Sequence, residues 1–156
     1  MTVVATAAAF VGLLPPRGSL LALDASKRRI GLAGTDPGRR LVTPLATLTR
    51  GAWAEDVARL ARVVREREVA GLVVGLPFNM DGSEGPMAQA ARALARNLDA
   101  AFGLPVLLQD ERLTTFAVRD AIEEGRLPRP RRKDGPLDHY AAAVILEDAL
   151  RALAAG

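Results

Sequence analysis

Four carboxylates stand where the chain changes character. Asp24 closes the apolar run Leu20-Leu21-Ala22-Leu23, Asp110-Glu111 close the run from Leu104 to Gln109, and Asp138 opens an Ala-rich stretch. Acids that end apolar strands emerge where α/β sheets commonly place ligands. Asp138 shares a face with Ala141, Ala142, Ile145 and Ala149 by i, i+3, i+4, i+7 spacing, so its carboxylate is expected to look inward over the sheet. Carboxylates gathered together raise one another's pKa unless a cation lies among them, and Mg²⁺ or Mn²⁺ favours all-oxygen coordination. The chain has no Cys and a single His, which excludes disulfides, thiolate zinc sites, Cys nucleophiles and imidazole clusters. For phosphodiester hydrolysis such a site can orient the phosphate and activate water and, if two ions bind, stabilise the leaving oxygen. Each acid also has a structural use. Asp24 could cap a hairpin turn, Asp138 could be a helix N-cap, and Asp110-Glu111-Arg112 could be a surface ion-pair cluster.

The elements that must position these acids follow from periodicity. Leu20 to Asp24 and Arg29 to Gly34 read as a β-hairpin, and Leu41 to Leu48 as a third strand that Pro44 confines to an edge or a bulge. From Ala52 the spacing turns helical, with Trp53, Val57, Leu60, Ala61 and Val64 on one face and Glu55, Arg59, Arg62 and Glu66 on the other. Ala70 to Gly75 reads as a strand buried on both faces, Met87 to Phe102 as a helix and Leu104 to Gln109 as a further strand. A short helix over Thr114 to Glu124 stops at Gly125. A Pro-rich loop carrying Arg126, Arg129, Arg131, Arg132 and Lys133 then leads to a last helix from about Leu137 to Ala154. The β-α-β-α-β order implies parallel strands with right-handed crossovers added to the hairpin. The expected class is therefore α/β with a mixed central sheet flanked by helices.

At 156 residues, with 49% hydrophobic and 25% charged residues, the chain is long enough for one well-packed domain. Residues 1–18 are expected to be an N-terminal extension and residues 19–156 the single domain. Met1 to Leu14 is apolar but lacks a basic start, and Pro15-Pro16 follows where a cleavage site would stand, so a cytoplasmic protein is expected. Arg17, Asp24 and Lys27-Arg28-Arg29 interrupt any span long enough for a membrane helix. A net charge of +3, with mostly Arg among the 21 basic residues, suits phosphate contact.

At these residues the chain resembles the YqgF family of RNase H-fold proteins, also described as RuvX or Holliday junction resolvase-like and linked to pre-16S ribosomal RNA processing. The resemblance covers about Leu20 to Leu150. It is carried by Val73-Val74-Gly75-Leu76-Pro77-Phe78-Asn79-Met80-Asp81-Gly82, by Asp110-Glu111-Arg112-Leu113-Thr114-Thr115, by Asp138 opening its apolar helix, and by Asp24 with Arg28, Ile30 and Gly31. The family's opening hairpin has a glycine two positions after its Asp, where this chain has Ser26.

The resemblance implies an RNase H-like fold and Asp24, Glu111 and Asp138 as catalytic, metal-binding acids, with Asp110 as competitor to Glu111. Adjacent strand residues face opposite ways, so at most one of those two can be a ligand. It also implies an endonuclease using Mg²⁺ or Mn²⁺ on structured nucleic acid, with the 5′ end of pre-16S rRNA as the favoured substrate and a four-way DNA junction as the alternative. Arg28, Asn79, Arg112, Arg131 and Arg132 are the candidate nucleic-acid contacts. Asn79 could equally serve a structural loop capped by Ser83, with Pro86 at the helix start. His139 could act as a general acid or be an exposed residue at the helix start. With one Trp, one Tyr and four Phe, backbone and shape contacts are expected to outweigh base stacking. Two other readings remain: a non-catalytic RNA-binding or ribosome-assembly factor, and an ATP-using relative of sugar kinases and actin, against which the one-domain length argues. Monomer and homodimer are both compatible with the sequence.

Overall fold

The computed structural model describes residues 2–79, 81–111, 122–125 and 138–155. In chain order the elements are Val3–Val4 (β1), Ala7–Leu13 (α1), Ser19–Ala25 (β2), Arg29–Thr35 (β3), Val42–Thr49 (β4), Trp53–Glu66 (α2), Val69–Leu76 (β5), Pro86–Phe102 (α3), Val106–Asp110 (β6) and Asp138–Ala155 (α4). Their six strands form one mixed sheet in the order β1-β6-β5-β2-β3-β4. The β2-β3-β4 meander is antiparallel, whereas β2, β5, β6 and β1 run parallel. This is the mixed α/β architecture that the periodicity predicts.

Strand parity assigns the faces. Leu21, Leu23, Ile30 and Leu32 join Leu60 of α2 and Ala91, Leu94 and Leu98 of α3 in one buried layer. Leu20, Ala22, Ala33, Val73 and Leu107 pack on the other face against Phe10 of α1 and Ala142, Ile145 and Ala149 of α4. Helices thus cover both faces, as a sheet with parallel central strands requires. Pro44 lies on edge strand β4, where the register with β3 shifts between Leu32 and Ala33, so its missing N–H costs no regular ladder bond.

The segment before Arg17, expected to be an extension, packs against the sheet. Val3 and Val4 pair in parallel with Val106 and Leu107, the Val106 N–H donates to the Thr2 carbonyl at 2.9 Å, and the Phe10 ring is fully buried. Thr6 caps α1 by accepting from the Ala9 N–H at 3.2 Å. Gly125, the expected helix stop, has φ of 78°. Most of the Thr114 to Glu124 helix and the basic loop after Gly125 lie outside the described residues.

Candidate active site

Three elements deliver the predicted acids to one end of the sheet. Asp24 lies near the end of β2, opposite Gly31 of β3 in the antiparallel ladder. Glu111 follows β6 directly, and its N–H donates to the Leu76 carbonyl at 3.1 Å, which extends the β5 pairing by one residue. Asp138 is the first residue of α4. Two glycines make their convergence possible. A methyl group at Gly31 would lie 2.1 Å from the Asp138 carbonyl carbon and oxygen and 2.6 Å from the His139 nitrogen, so the bare Cα lets α4 begin directly on β3. A methyl group at Gly75 would lie 2.8 Å from Glu111 Oε2 and 2.7 Å from Ile145 Cδ1, so that glycine leaves the hollow the Glu111 carboxyl occupies.

Asp24 and Glu111 are hydrogen-bonded to each other and both are half-buried. Burial pushes the Glu111 carboxyl up to about 9, and the nearby Asp24 and Asp110 charges add to the rise. Burial also raises Asp24. The bond to Glu111 opposes that rise and the charge of Asp138 reinforces it. The resulting pair shares a proton, because two adjacent carboxylates cannot both ionise cheaply without a cation. Of the two competing acids it is Glu111 that meets Asp24, while Asp110, one residue earlier, is exposed.

Asp138 makes a different contact. Its Oδ2 accepts from Arg29 Nε at 2.7 Å across the start of β3. Among the described residues, accordingly, no three acids already form a closed metal cage. The donor set still fits a hard cation. All three groups are carboxylates, two are already in contact, and the third is close enough for its charge to act on Asp24.

Ser26 does not distort the hairpin. Among the described residues only Arg39 and Glu68 adopt positive φ without being glycine, so the turn does not need glycine at position 26. The Ser26 N–H donates to the Arg29 carbonyl at 2.9 Å, and its hydroxyl accepts from the Arg29 N–H at 3.2 Å. Arg50 Nη1 donates to the Ser26 carbonyl at 2.9 Å. The serine thus closes the turn with its own hydroxyl.

Other candidates are placed as follows. Arg28 is exposed on the hairpin turn. Asn79 is exposed, but its Nδ2 donates to Ser83 Oγ at 3.0 Å and its carbonyl accepts from the Gly82 N–H at 2.8 Å, which ties the loop into a turn. Ser83 does not cap α3; its hydroxyl donates to Asp81 Oδ1 at 2.6 Å. The α3 N-cap is Gly85, followed by Pro86. His139 is half-buried rather than exposed, with Nδ1 2.7 Å from Thr47 Oγ1. It fastens α4 to β4. Arg112, Arg131 and Arg132 lie outside the described residues. Arg29 was not singled out by the sequence reading, although strand parity puts it on the same side as Gly31 and hence toward α4.

A family model described as "RuvX: Holliday junction resolvase" matches residues 18–152. The chain belongs to the RuvX family. Its relatives include proteins named "Putative pre-16S rRNA nuclease" from Cereibacter sphaeroides and Rhodobacter capsulatus. The first is 48% identical over 90% of this chain and 88% of its own length, the second 48% identical over 93% and 91%. A Bradyrhizobium relative of the same name is 49% identical over 90% of this chain and 86% of its own. In fold, the RuvX chain is similar to T. thermophilus RuvC, solved in complex with a Holliday junction substrate. The TM-score is 0.57 at 15% identity, covering 88% of this chain and 94% of that one. That likeness supports the RNase H-like fold. Among the described residues no helix is long and apolar enough to cross a membrane.

Proposed function

We propose that this RuvX-family protein is a cytoplasmic endonuclease that uses Mg²⁺ or Mn²⁺ to process the 5′ end of pre-16S rRNA, with Asp24, Glu111 and Asp138 as its catalytic, metal-holding acids. The observation that carries the reading is the direct carboxyl-to-carboxyl contact of Asp24 and Glu111 at the strand ends, beside an α4 start that Gly31 admits. Such a pair is costly unless a cation serves it. The RNA substrate is favoured by the name that relatives nearly half identical carry.

When bound, a divalent ion offsets charge on the phosphoryl oxygens and activates water. The chain's own residues do the rest. Asp24, Glu111 and Asp138 would hold the ion as carboxylates, the proton between Asp24 and Glu111 passing to solvent. Arg28, on the exposed hairpin turn, takes a neighbouring phosphate, and Arg112, Arg131 and Arg132 supply further positive charge along the path of the nucleic acid. Asn79 presents its loop to the backbone.

The test is cleavage of a precursor rRNA and of a four-way DNA junction, side by side with Mn²⁺, by wild type, Asp24→Asn, Glu111→Gln and Asp138→Asn. Metal-dependent cleavage of the RNA by wild type is expected, lost in each variant while RNA affinity survives. Equal activity in all four proteins would overturn the site. Cleavage of the junction with the RNA left intact would transfer the reading to DNA, as the family description suggests. RNA binding without cleavage would leave an assembly factor.

A further inference from the structure

We infer that Arg29 is a placeholder cation: it holds Asp138 while no ion is bound, and a divalent ion enters the full site by displacing it. This inference rests on the metal-site reading above and concerns how that site is loaded. The Arg29 Nε to Asp138 Oδ2 contact is 2.7 Å, between side chains 41% and 20% exposed respectively. It joins two elements that are remote in sequence, and both backbones are fixed. The Arg29 N–H and carbonyl are engaged by Ser26, and the Asp138 carbonyl abuts the bare Cα of Gly31. The His139 ring, held by Thr47, keeps the first turn of α4 in place.

The surroundings favour an exchange over a permanent pair. The bare Cα of Gly31, which pairs with Asp24 in the β2–β3 ladder, seats the Asp138 backbone beside the carboxyl pair. A half-exposed single-donor contact is weak enough to lose to a divalent ion. Arg92 and Glu84 form a different kind of pair, with two donors on two oxygens at 2.7 and 2.8 Å, the geometry expected of a fixed structural contact. Arg29 makes one such bond to Asp138, through Nε. Its role is therefore to position Asp138 and to set the affinity for metal.

Calorimetric titration of Mn²⁺ into the whole protein tests this directly. Arg29→Gln is expected to tighten Mn²⁺ binding by about 3- to 5-fold, because the competing cation is gone. Arg29→Lys should fall between wild type and Arg29→Gln. Lys27→Gln removes the same charge from the same hairpin without touching Asp138, and should change affinity by less than about 1.5-fold. In a parallel Mg²⁺ titration followed by NMR, the Arg29 Nε–H resonance of wild type should shift with the same midpoint as Mg²⁺ binding measured by calorimetry. Arg29→Gln affinity equal to or weaker than wild type, or an Arg29 resonance that does not move, would overturn the placeholder role and leave the metal site standing. If wild type bound no Mn²⁺, or bound it equally well after Asp24→Asn, the site itself would fail and the placeholder with it.

Discussion

Asp56, in the first turn of α2, is only 2% exposed, yet its Oδ1 accepts from the Gly51 N–H at 3.0 Å and pairs with Arg59. Asp24 and Glu111, at the strand ends, are less deeply buried and face each other. The fold gives the first carboxylate a backbone donor and an arginine, whereas each acid of the second pair has the other's carboxyl beside it. A buried acid supplied with donors holds structure together, whereas a confronted pair costs stability in order to bind something. Depth of burial does not separate the two roles; the partners do.

The largest expected effect is on catalysis at the confronted pair. Asp24→Asn should lower metal-dependent cleavage by about 100-fold or more, the scale of losing several kcal/mol of charge stabilisation. Thermal melting of the metal-free variant should show no loss of stability, since one of two opposed acids is gone. A cleavage rate within threefold of wild type would erase the contrast with Asp56.

Next is the contact that brings the acids together. Gly31→Ala sets a methyl group 2.1 Å from the Asp138 backbone, so α4 must shift. A destabilisation of about 1–3 kcal/mol in urea unfolding is expected, with cleavage lost as well. Asp56→Ala should cost about 1–3 kcal/mol by orphaning the Gly51 N–H and removing the Arg59 ion pair, yet leave Mn²⁺ affinity unchanged. A change in metal affinity there would blur the distinction drawn above.

The pair also sets the response to pH. Glu111 titrates near 9 in the folded protein against an ordinary value of 4.5, so the folded state holds the extra proton between those limits. Its contribution is complete below 4.5 and is lost as pH rises toward 9, so the melting temperature of metal-free protein should fall across that range. Asp24→Asn should flatten the fall, and Mn²⁺, which requires deprotonated ligands, should raise the melting temperature more at pH 8 than at pH 5.5. A flat profile for metal-free wild type would contradict the shared-proton pair.

Much of this was legible in the residues. Apolar runs and helical spacing gave the meander, the parallel strands and the long helices, and Pro44 pointed to the edge strand. The preference for Glu111 came from the family resemblance, yet strand parity carries it too: Leu107 and Glu111 are an even number of residues apart, and Leu107 packs on the α4 face. The same parity argument would have chosen Arg29 over its exposed neighbour Arg28. What sequence could not show was tertiary. A two-residue strand at Val3–Val4 has no period to detect, Phe10 is buried only because the sheet and α4 close around it, and Asp56 reads as one more acid in a helical first turn. Ser26 marked a departure from the family pattern, but the compensating hydroxyl bond to Arg29 exists only in the folded hairpin.

The central claim is that the Asp24–Glu111 pair exists to hold a divalent ion. Anomalous diffraction at the manganese edge, from crystals of wild type grown with Mn²⁺, tests it most directly. The account predicts a manganese peak ligated by Asp24 and Glu111, with Asp138 turned away from Arg29 to join them. Saturating Mn²⁺ that leaves no peak between those carboxyls, with the Arg29 to Asp138 pair intact, would contradict it.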